Sequence, residues 1–182
     1  MKNKNLGLQR GTVQLSEYHP DWVDAFCLEK EHIEKLLGDA VLGVEHIGST
    51  AIPGIKAKPI LDFMVGIRSF DEWEHYTELL AQLGYEFRRD LREEQLHILF
   101  VKGPEENRTH YLKLAEIHSD FWTQQIIFRD FLIENPEYKR RYQALKERLL
   151  IEYQGERGPY SEGKKIFIKE ALKRAGYQGA IL

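Results

Sequence analysis

Apolar residues along this chain recur first at helical spacing and then in alternation. Residues 20–37 open with a proline and carry Trp22, Phe26, Ile33 and Leu36 or Leu37 on one stripe ahead of Gly38, which predicts an amphipathic helix packed on a sheet. Residues 41–47 are short and β-branched, hence a strand, and run directly into Gly48-Ser49-Thr50. A second apolar strand is predicted over 60–67, and Trp73, Tyr76, Leu79, Leu80 and Leu83 place a helix over 71–83 that stops at Gly84. Residues 96–102 and 109–116 read as an antiparallel hairpin around the polar loop 103–108.

From Asp120 the pattern turns helical, with Trp122, Ile126, Phe128 or Arg129 and Leu132, and it halts near Asn135-Pro136, because the residue before proline disfavours the α region. A long helix over 136–153 and a last one over about 161–174 follow, separated by the break at 155–159. This order predicts an α+β fold: a mixed β-sheet of about four to five strands flanked by helices, covered by them on one side, with further C-terminal helices.

Composition narrows the class. At 182 residues the chain is expected to form a single domain, with residues 1–15 outside the periodic pattern and open to flexibility. Hydrophobic residues at 42% and charged residues at 30% are those of a globular protein, and a net charge of −3 argues against a general nucleic-acid binder, which would need a basic surface. The single cysteine, Cys27, excludes an intramolecular disulfide and argues against a cysteine-based zinc site; on the first helix it is expected to be a small buried hydrophobe. Apolar runs are too short to span a membrane, and residues 1–10 lack the apolar stretch of a signal peptide, so a cytoplasmic protein is expected.

The densest chemistry lies in residues 46–65. A strand ending in Gly48-Ser49-Thr50 offers backbone N–H groups and two hydroxyls to an anion, since glycine allows close approach and the start of a helix leaves its amides unpaired. Lys56 and Lys58 add positive charge nearby. Asp62 stands in an apolar strand, where a carboxylate needs a metal, a base or a hydrogen-bonded neighbour. Taken singly, the turn also suits a plain helix cap and the aspartate a loop hydrogen bond. His97 reads as a hydrogen-bonded strand residue, and His19, His32, His75 and His118 carry no assigned role. The charge runs at 88–94 and 139–141 read as solvated faces, and the stripe Trp122, Phe128, Phe131 as core.

In combination, a Gly-Ser turn followed by a strand aspartate resembles the nucleotidyltransferase superfamily of the DNA polymerase beta type. More closely, His46, Gly48, Ser49, Thr50, Pro53, Gly54, Lys58, Pro59 and Asp62 resemble the hallmark of the GrpB family, small bacterial proteins. Arg108-Thr109-His110-Tyr111-Leu112-Lys113 is similar to that family's second strand motif, and Phe121-Trp122, residues 128–132, Pro136, Tyr142, Leu145 and Lys146 to its helical segment. The resemblance covers residues 17–175 and implies a nucleotidyltransferase-like fold; similar domains occur fused to dephospho-CoA kinases.

On this resemblance the site is expected to bind a small phosphorylated ligand or nucleotide, with nucleotidyl transfer to an unidentified acceptor as the implied reaction. His46, Gly48, Ser49, Thr50, Lys58 and Lys113 would form the phosphate or nucleotide site. Asp62 would be the catalytic group and a ligand for Mg²⁺ or Mn²⁺, with His97 and His110 as further metal candidates. Two departures stand against a complete enzyme. Superfamily enzymes carry a second carboxylate two residues along the strand, where this chain has Met64, a poor donor to a hard cation. The second motif, often His-His-Leu-His, is here His110-Tyr111-Leu112-Lys113. The alternative is an inactive module that keeps the fold and acts as a binding or regulatory protein.

Overall fold

The computed structural model describes residues 5–88 and 96–181. Five strands form one sheet: β1 (Gly43–Ile47), β2 (Leu61–Ile67), β3 (Tyr85–Phe87), β4 (Ile98–Lys102) and β5 (His110–Glu116), in the order β1-β2-β5-β4-β3. Only β2 and β5 run parallel. The predicted strands at 41–47 and 60–67 are therefore direct neighbours, antiparallel, with Ile47 opposite Asp62, and the predicted hairpin is the pair β4 and β5.

Among the described residues six α-helices surround the sheet: α1 (Asp21–Leu37), α2 (Trp73–Gln82), α3 (Asp120–Glu134), α4 (Pro136–Glu152), α5 (Arg157–Glu162) and α6 (Lys165–Arg174). Strand alternation sorts the two faces. Leu61, Phe63, Val65 and Ile67 of β2 join Leu112 and Leu114 of β5 beneath α1 and α2, where Trp22, Ile33, Leu37, Tyr76 and Leu80 close the larger core. On the opposite face Met64 and Ala115 pack with Ile47 under Phe121 and Trp122 of α3. Helices thus cover both faces, a correction to the one-sided cover expected. The long helix C-terminal to the sheet belongs to a third layer, in which Ile52 and Ile55 of the motif loop meet Leu132, Tyr142, Phe167 and Ala171.

Some local readings change. Strand β3 has three residues, too few for an alternating pattern to register, and holds the edge by pairing with β4. The expected last helix is two: the break at 155–159 contains the start of α5, whose Pro159 lies in the first turn, where a missing N–H costs nothing. Cys27 is exposed, because the buried positions of α1 are Trp22, Glu29, Ile33 and Leu37. Residues 5–16 lie along the body: Leu6, Leu8 and Val13 are buried, and Leu8, Thr12 and Ser16 bridge to Arg108, Glu156 and Ala57. The charged run at 88–94 and residues 1–4 fall, but for Arg88, outside the described residues. Among the described residues no helix is long and apolar enough to cross a membrane.

Two groups of polar side chains pair across elements. Glu29 of α1 accepts from the Tyr85 hydroxyl at 2.8 Å and from Lys102 Nζ at 2.7 Å, tying the helix to β3 and β4. Arg129 of α3 donates through Nη1 to Glu45 at 2.7 Å and to the His46 carbonyl at 2.8 Å, fastening α3 to β1.

The seat of α3 depends on two glycines opposite one another, Gly43 of β1 and Gly66 of β2. The Trp122 ring lies over both. A Cβ on Gly66 would sit 3.0 Å from that ring, while one on Gly43 would meet it at an ordinary 3.4 Å. Gly66→Val is therefore expected to lower stability by about 1–3 kcal/mol through overpacking, and Gly43→Ala to be near neutral. Urea unfolding followed by tryptophan fluorescence measures both, and an equal effect of the two substitutions would contradict this packing.

Candidate functional site

The loop from Gly48 to Ile60 folds back so that its first residue touches the strand that follows. Gly48 has φ +69°, and a Cβ there would lie 3.0 Å from Asp62 Cβ and 3.2 Å from its Oδ2. Both the left-handed backbone and the close approach require glycine. A short 3₁₀ turn, Ser49–Ala51, follows, with Thr50 buried beneath it. The Thr50 hydroxyl is 3.0 Å from His46 Nε2, and the His46 ring is stacked on Phe26 with centroids 4.7 Å apart. Burial, followed by the Arg129 charge, holds the His46 imidazole down to about 4 against the pull of Asp62, so it is neutral at physiological pH and braces the turn from behind.

This turn forms one wall of a cleft of about 480 Å³. The floor is the α3 face of the sheet, with Asp62 from β2 and Tyr111 and Lys113 from β5. The other walls come from α3 (Phe121, Phe128), α4 (Tyr142, Lys146) and α5 (Arg157, Tyr160), together with Lys164 just before α6. Tyr142 is hydrogen-bonded to Ser49, and burial pushes its hydroxyl up to about 12. Arg157 stacks over Tyr111 with 5.1 Å to the ring centre and donates to its hydroxyl at 3.3 Å. Lys146 Nζ donates to the Lys56 carbonyl and sits 4.9 Å from the Tyr142 ring centre. Lys164 Nζ stands 4.9 Å from the centre of the Tyr160 ring.

Charge in the cleft is one-sided. Lys58, Lys113, Lys146, Arg157 and Lys164 line it, and among the described residues none of the five forms an ion pair, while Asp62 is the one carboxylate on the walls. A sixth cation, Lys165, is paired with Glu162 at 2.9 Å. Crowding shows in the acidities. Burial, then the neighbouring Lys164 and Lys58 charges, hold the Lys146 ammonium down to about 7 against the pull of Glu147. Burial, then Lys58, Lys113 and Arg157, hold Lys164 down to about 7 although Asp62 pulls the other way. Lys58 is lowered as well, by burial first and then by Arg157 and Lys113.

Of the residues singled out in the sequence, the fold brings Gly48, Ser49, Thr50, Lys58, Asp62, His97 and Lys113 to this cleft. His97 is stacked on Phe121 at 4.4 Å, burial and then the Lys113 charge keep it near 4, and its Nδ1 is buried without a hydrogen-bond partner. His46 and His110 are on the other face. His110 is in register with Leu61, one residue before Asp62, so alternation turns it toward Phe63 and Tyr85. Its Nδ1 is 2.8 Å from the Thr109 hydroxyl.

The donor set does not fit a two-metal centre. Met64, at the second carboxylate position, is fully buried under Phe121 and Trp122. His110 is separated from Asp62 by the sheet, and among the described residues no three His, Cys, Asp or Glu side chains gather to hold an ion. Phe128, expected in the core, packs against the cluster of Ile52, Ile55, Leu132 and Tyr142 and also lines the cleft. Sequence reasoning missed Arg157, Tyr160 and Lys164, which sit on short elements with no periodic signal. Lys146 did leave one: it falls on the buried stripe of α4 with Tyr142 and Leu149, an odd place for a lysine.

Comparison with known proteins places the chain. Over 170 residues it is 34% identical to the Glutamate-rich protein GrpB of Alkalihalophilus pseudofirmus, covering 92% of this chain and 98% of that one. The crystal structure of the conserved protein GrpB from Enterococcus faecalis superposes with a TM-score of 0.79 at 31% identity, over 89% of this chain and 96% of that chain. A far looser likeness, with a TM-score of 0.46 and 10% identity over 82% of this chain and half of the other, is to the Cid1 poly (U) polymerase, too distant to bear on activity. The GrpB protein family matches residues 12–174, the whole of the sheet, the cleft and the helices around it, and the chain belongs to the GrpB family.

Proposed function

We propose that this protein binds a phosphorylated small molecule, of the nucleotide class, in the cleft between the Gly48 turn and the C-terminal helices. One observation carries the reading: five cations without ion pairs among the described residues face one cavity that offers them Asp62 alone. Like charges brought together in a partly buried space raise the free energy of the empty protein, and a polyanion relieves it. A volume of about 480 Å³ is in the range of small-molecule sites, about 300–1,000 Å³. In this reading the Ser49 hydroxyl and the backbone N–H groups of Ser49 and Thr50 in the Gly48 turn donate to phosphate oxygens, Lys58 and Lys113 neutralise them, and Asp62 orients or deprotonates an acceptor hydroxyl.

The second reading, a module that keeps the fold without turnover, is favoured by Met64, whose buried thioether replaces the second carboxylate of a two-metal mechanism. With one carboxylate on its described walls, the cleft has no pair of anionic oxygen donors to bridge two ions. The test is a thermal-shift screen of nucleotides and coenzyme A precursors with and without Mg²⁺ or Mn²⁺, in which a ligand at about 100 times its Kd adds about 2.7 kcal/mol. A hit followed by a search for released pyrophosphate separates a transferase from a binding module; no hit from any phosphorylated compound would sink both forms of the phosphate reading.

Gly48→Val is expected to weaken a phosphorylated ligand found in that screen and to lower stability, since the side chain meets Asp62 at a backbone angle that valine avoids. Titration calorimetry on the folded variant decides it, and unchanged affinity would remove the turn from the site. Asp62→Asn is expected to leave the binding of inorganic tripolyphosphate equal or tighter, because it removes the one negative wall charge, and to abolish any transfer. Weaker binding in that variant would mean that Asp62 contacts the ligand as a donor-bearing or metal-bound group.

The lysine acidities give opposite pH trends. Lys146 and Lys164 stand near 7 in the folded protein against the ordinary 10.5, so above about pH 7 the folded state holds fewer protons than the unfolded chain. Stability of the free protein should therefore rise from about pH 7 to about pH 10. A polyanion restores the charged forms and draws in protons, so its affinity should fall over the same interval. Melting temperatures with and without tripolyphosphate across that range test both; parallel trends would contradict the assignment.

A further inference from the structure

Lys113 stands next to the residue that displaced the second carboxylate. In the parallel ladder of β2 and β5, Met64 is the register partner of Lys113. Both lie on the α3 face of the sheet, but they end differently. Met64 is fully buried among Ile47, Ala115, Phe121 and Trp122, whereas Lys113 lines the cleft with its Nζ 5.8 Å from the Phe121 ring centre. From there its charge acts on His97, Lys58 and Lys164, which places the ammonium in the middle of the cationic wall. Where a pair of carboxylates would gather divalent ions around a phosphate chain, this protein has one carboxylate, already facing Lys58 and Lys164, and a fixed positive charge.

The geometry points to a cleft that takes its polyphosphate as the metal-free anion, with Lys113, Lys58, Lys164 and Arg157 standing in for divalent cations. The inference rests on the phosphate reading above and adds the charge state of the ligand. Mg²⁺ demands a near-ideal octahedron of oxygens, keeps several waters and lowers the negative charge of the phosphate chain it binds. A Mg²⁺ complex would bring a hydrated dication into a space lined by Lys58, Lys113 and Arg157 and by Lys146 and Lys164, whose protonation a polyanion favours, and it would present less charge to them. The free polyanion meets no such conflict, and each ammonium or guanidinium that reaches an oxygen forms a charge-assisted hydrogen bond. Mg²⁺ then competes with the protein for the ligand instead of recruiting it.

Titration calorimetry of the full chain with inorganic tripolyphosphate, once in EDTA and once with Mg²⁺ in large excess, tests this. Binding is expected in EDTA, weakened by about tenfold or more with Mg²⁺; losing one charged hydrogen bond costs about that factor, so Lys113→Gln should weaken binding in EDTA by about tenfold and shrink the difference between the buffers. Arg157→Gln, on a different element, gives the same reading should the strand variant fold poorly. Tighter binding in Mg²⁺ overturns the metal-free inference and leaves the phosphate site standing. An absence of tripolyphosphate binding in both buffers overturns the inference, and when joined by an empty nucleotide screen it overturns the phosphate site as well.

Discussion

Lys58, Lys113, Lys146, Arg157 and Lys164 repel one another across a cleft whose described walls answer them with Asp62 alone, so the surrounding apolar packing has to hold the two sides together. The sheet supplies one side and the C-terminal helices the other. What joins them is the cluster in which Ile52 and Ile55, from the loop that carries the turn, pack against Leu132, Tyr142, Phe167 and Ala171. The motif loop thus has two duties. Its first residues present the turn, and its middle residues bury the side chains that fix α4, which bears Lys146, and α6, which Lys164 precedes, above it.

The second duty is invisible in a search for chemistry, yet it explains the length of the loop. Thirteen residues from Gly48 to Ile60 separate two adjacent antiparallel strands that a much shorter turn could have joined. The extra residues form a shelf rather than a connection. Behind the shelf, neutral His46 holds Thr50 and stacks on Phe26, so the turn is braced from the α1 side of the sheet while it faces the cleft on the other.

Much of this was legible in the sequence, and the reasons for the remainder are physical. The strands at 41–47 and 60–67, the hairpin and the long helices announce themselves because their apolar periods are sustained, and the turn with Asp62 because glycine and a strand carboxylate are each costly without a reason. Strand β3 escapes because three residues carry no period, and the cover on both faces escapes because alternation cannot say what lies above a fully buried strand such as β2. Two of the five cations of the wall escape for another reason. Arg157 and Lys164 come from short elements about a hundred residues beyond the turn, and only tertiary packing makes them its neighbours. His110 shows the converse: one step of register sends a motif histidine to the wrong side of the sheet from Asp62.

The cations of the cleft belong to two layers: Lys58 and Lys113 come from the loop and strand side, and Lys146, Arg157 and Lys164 from the C-terminal helices and the turn between them. Holding the two layers together sets like charges against each other, so salt, which screens them within a Debye length of about 8–10 Å, relieves the folded molecule. A polyanion seated between the layers would turn the same repulsion into a bridge and bind the C-terminal helices to the sheet.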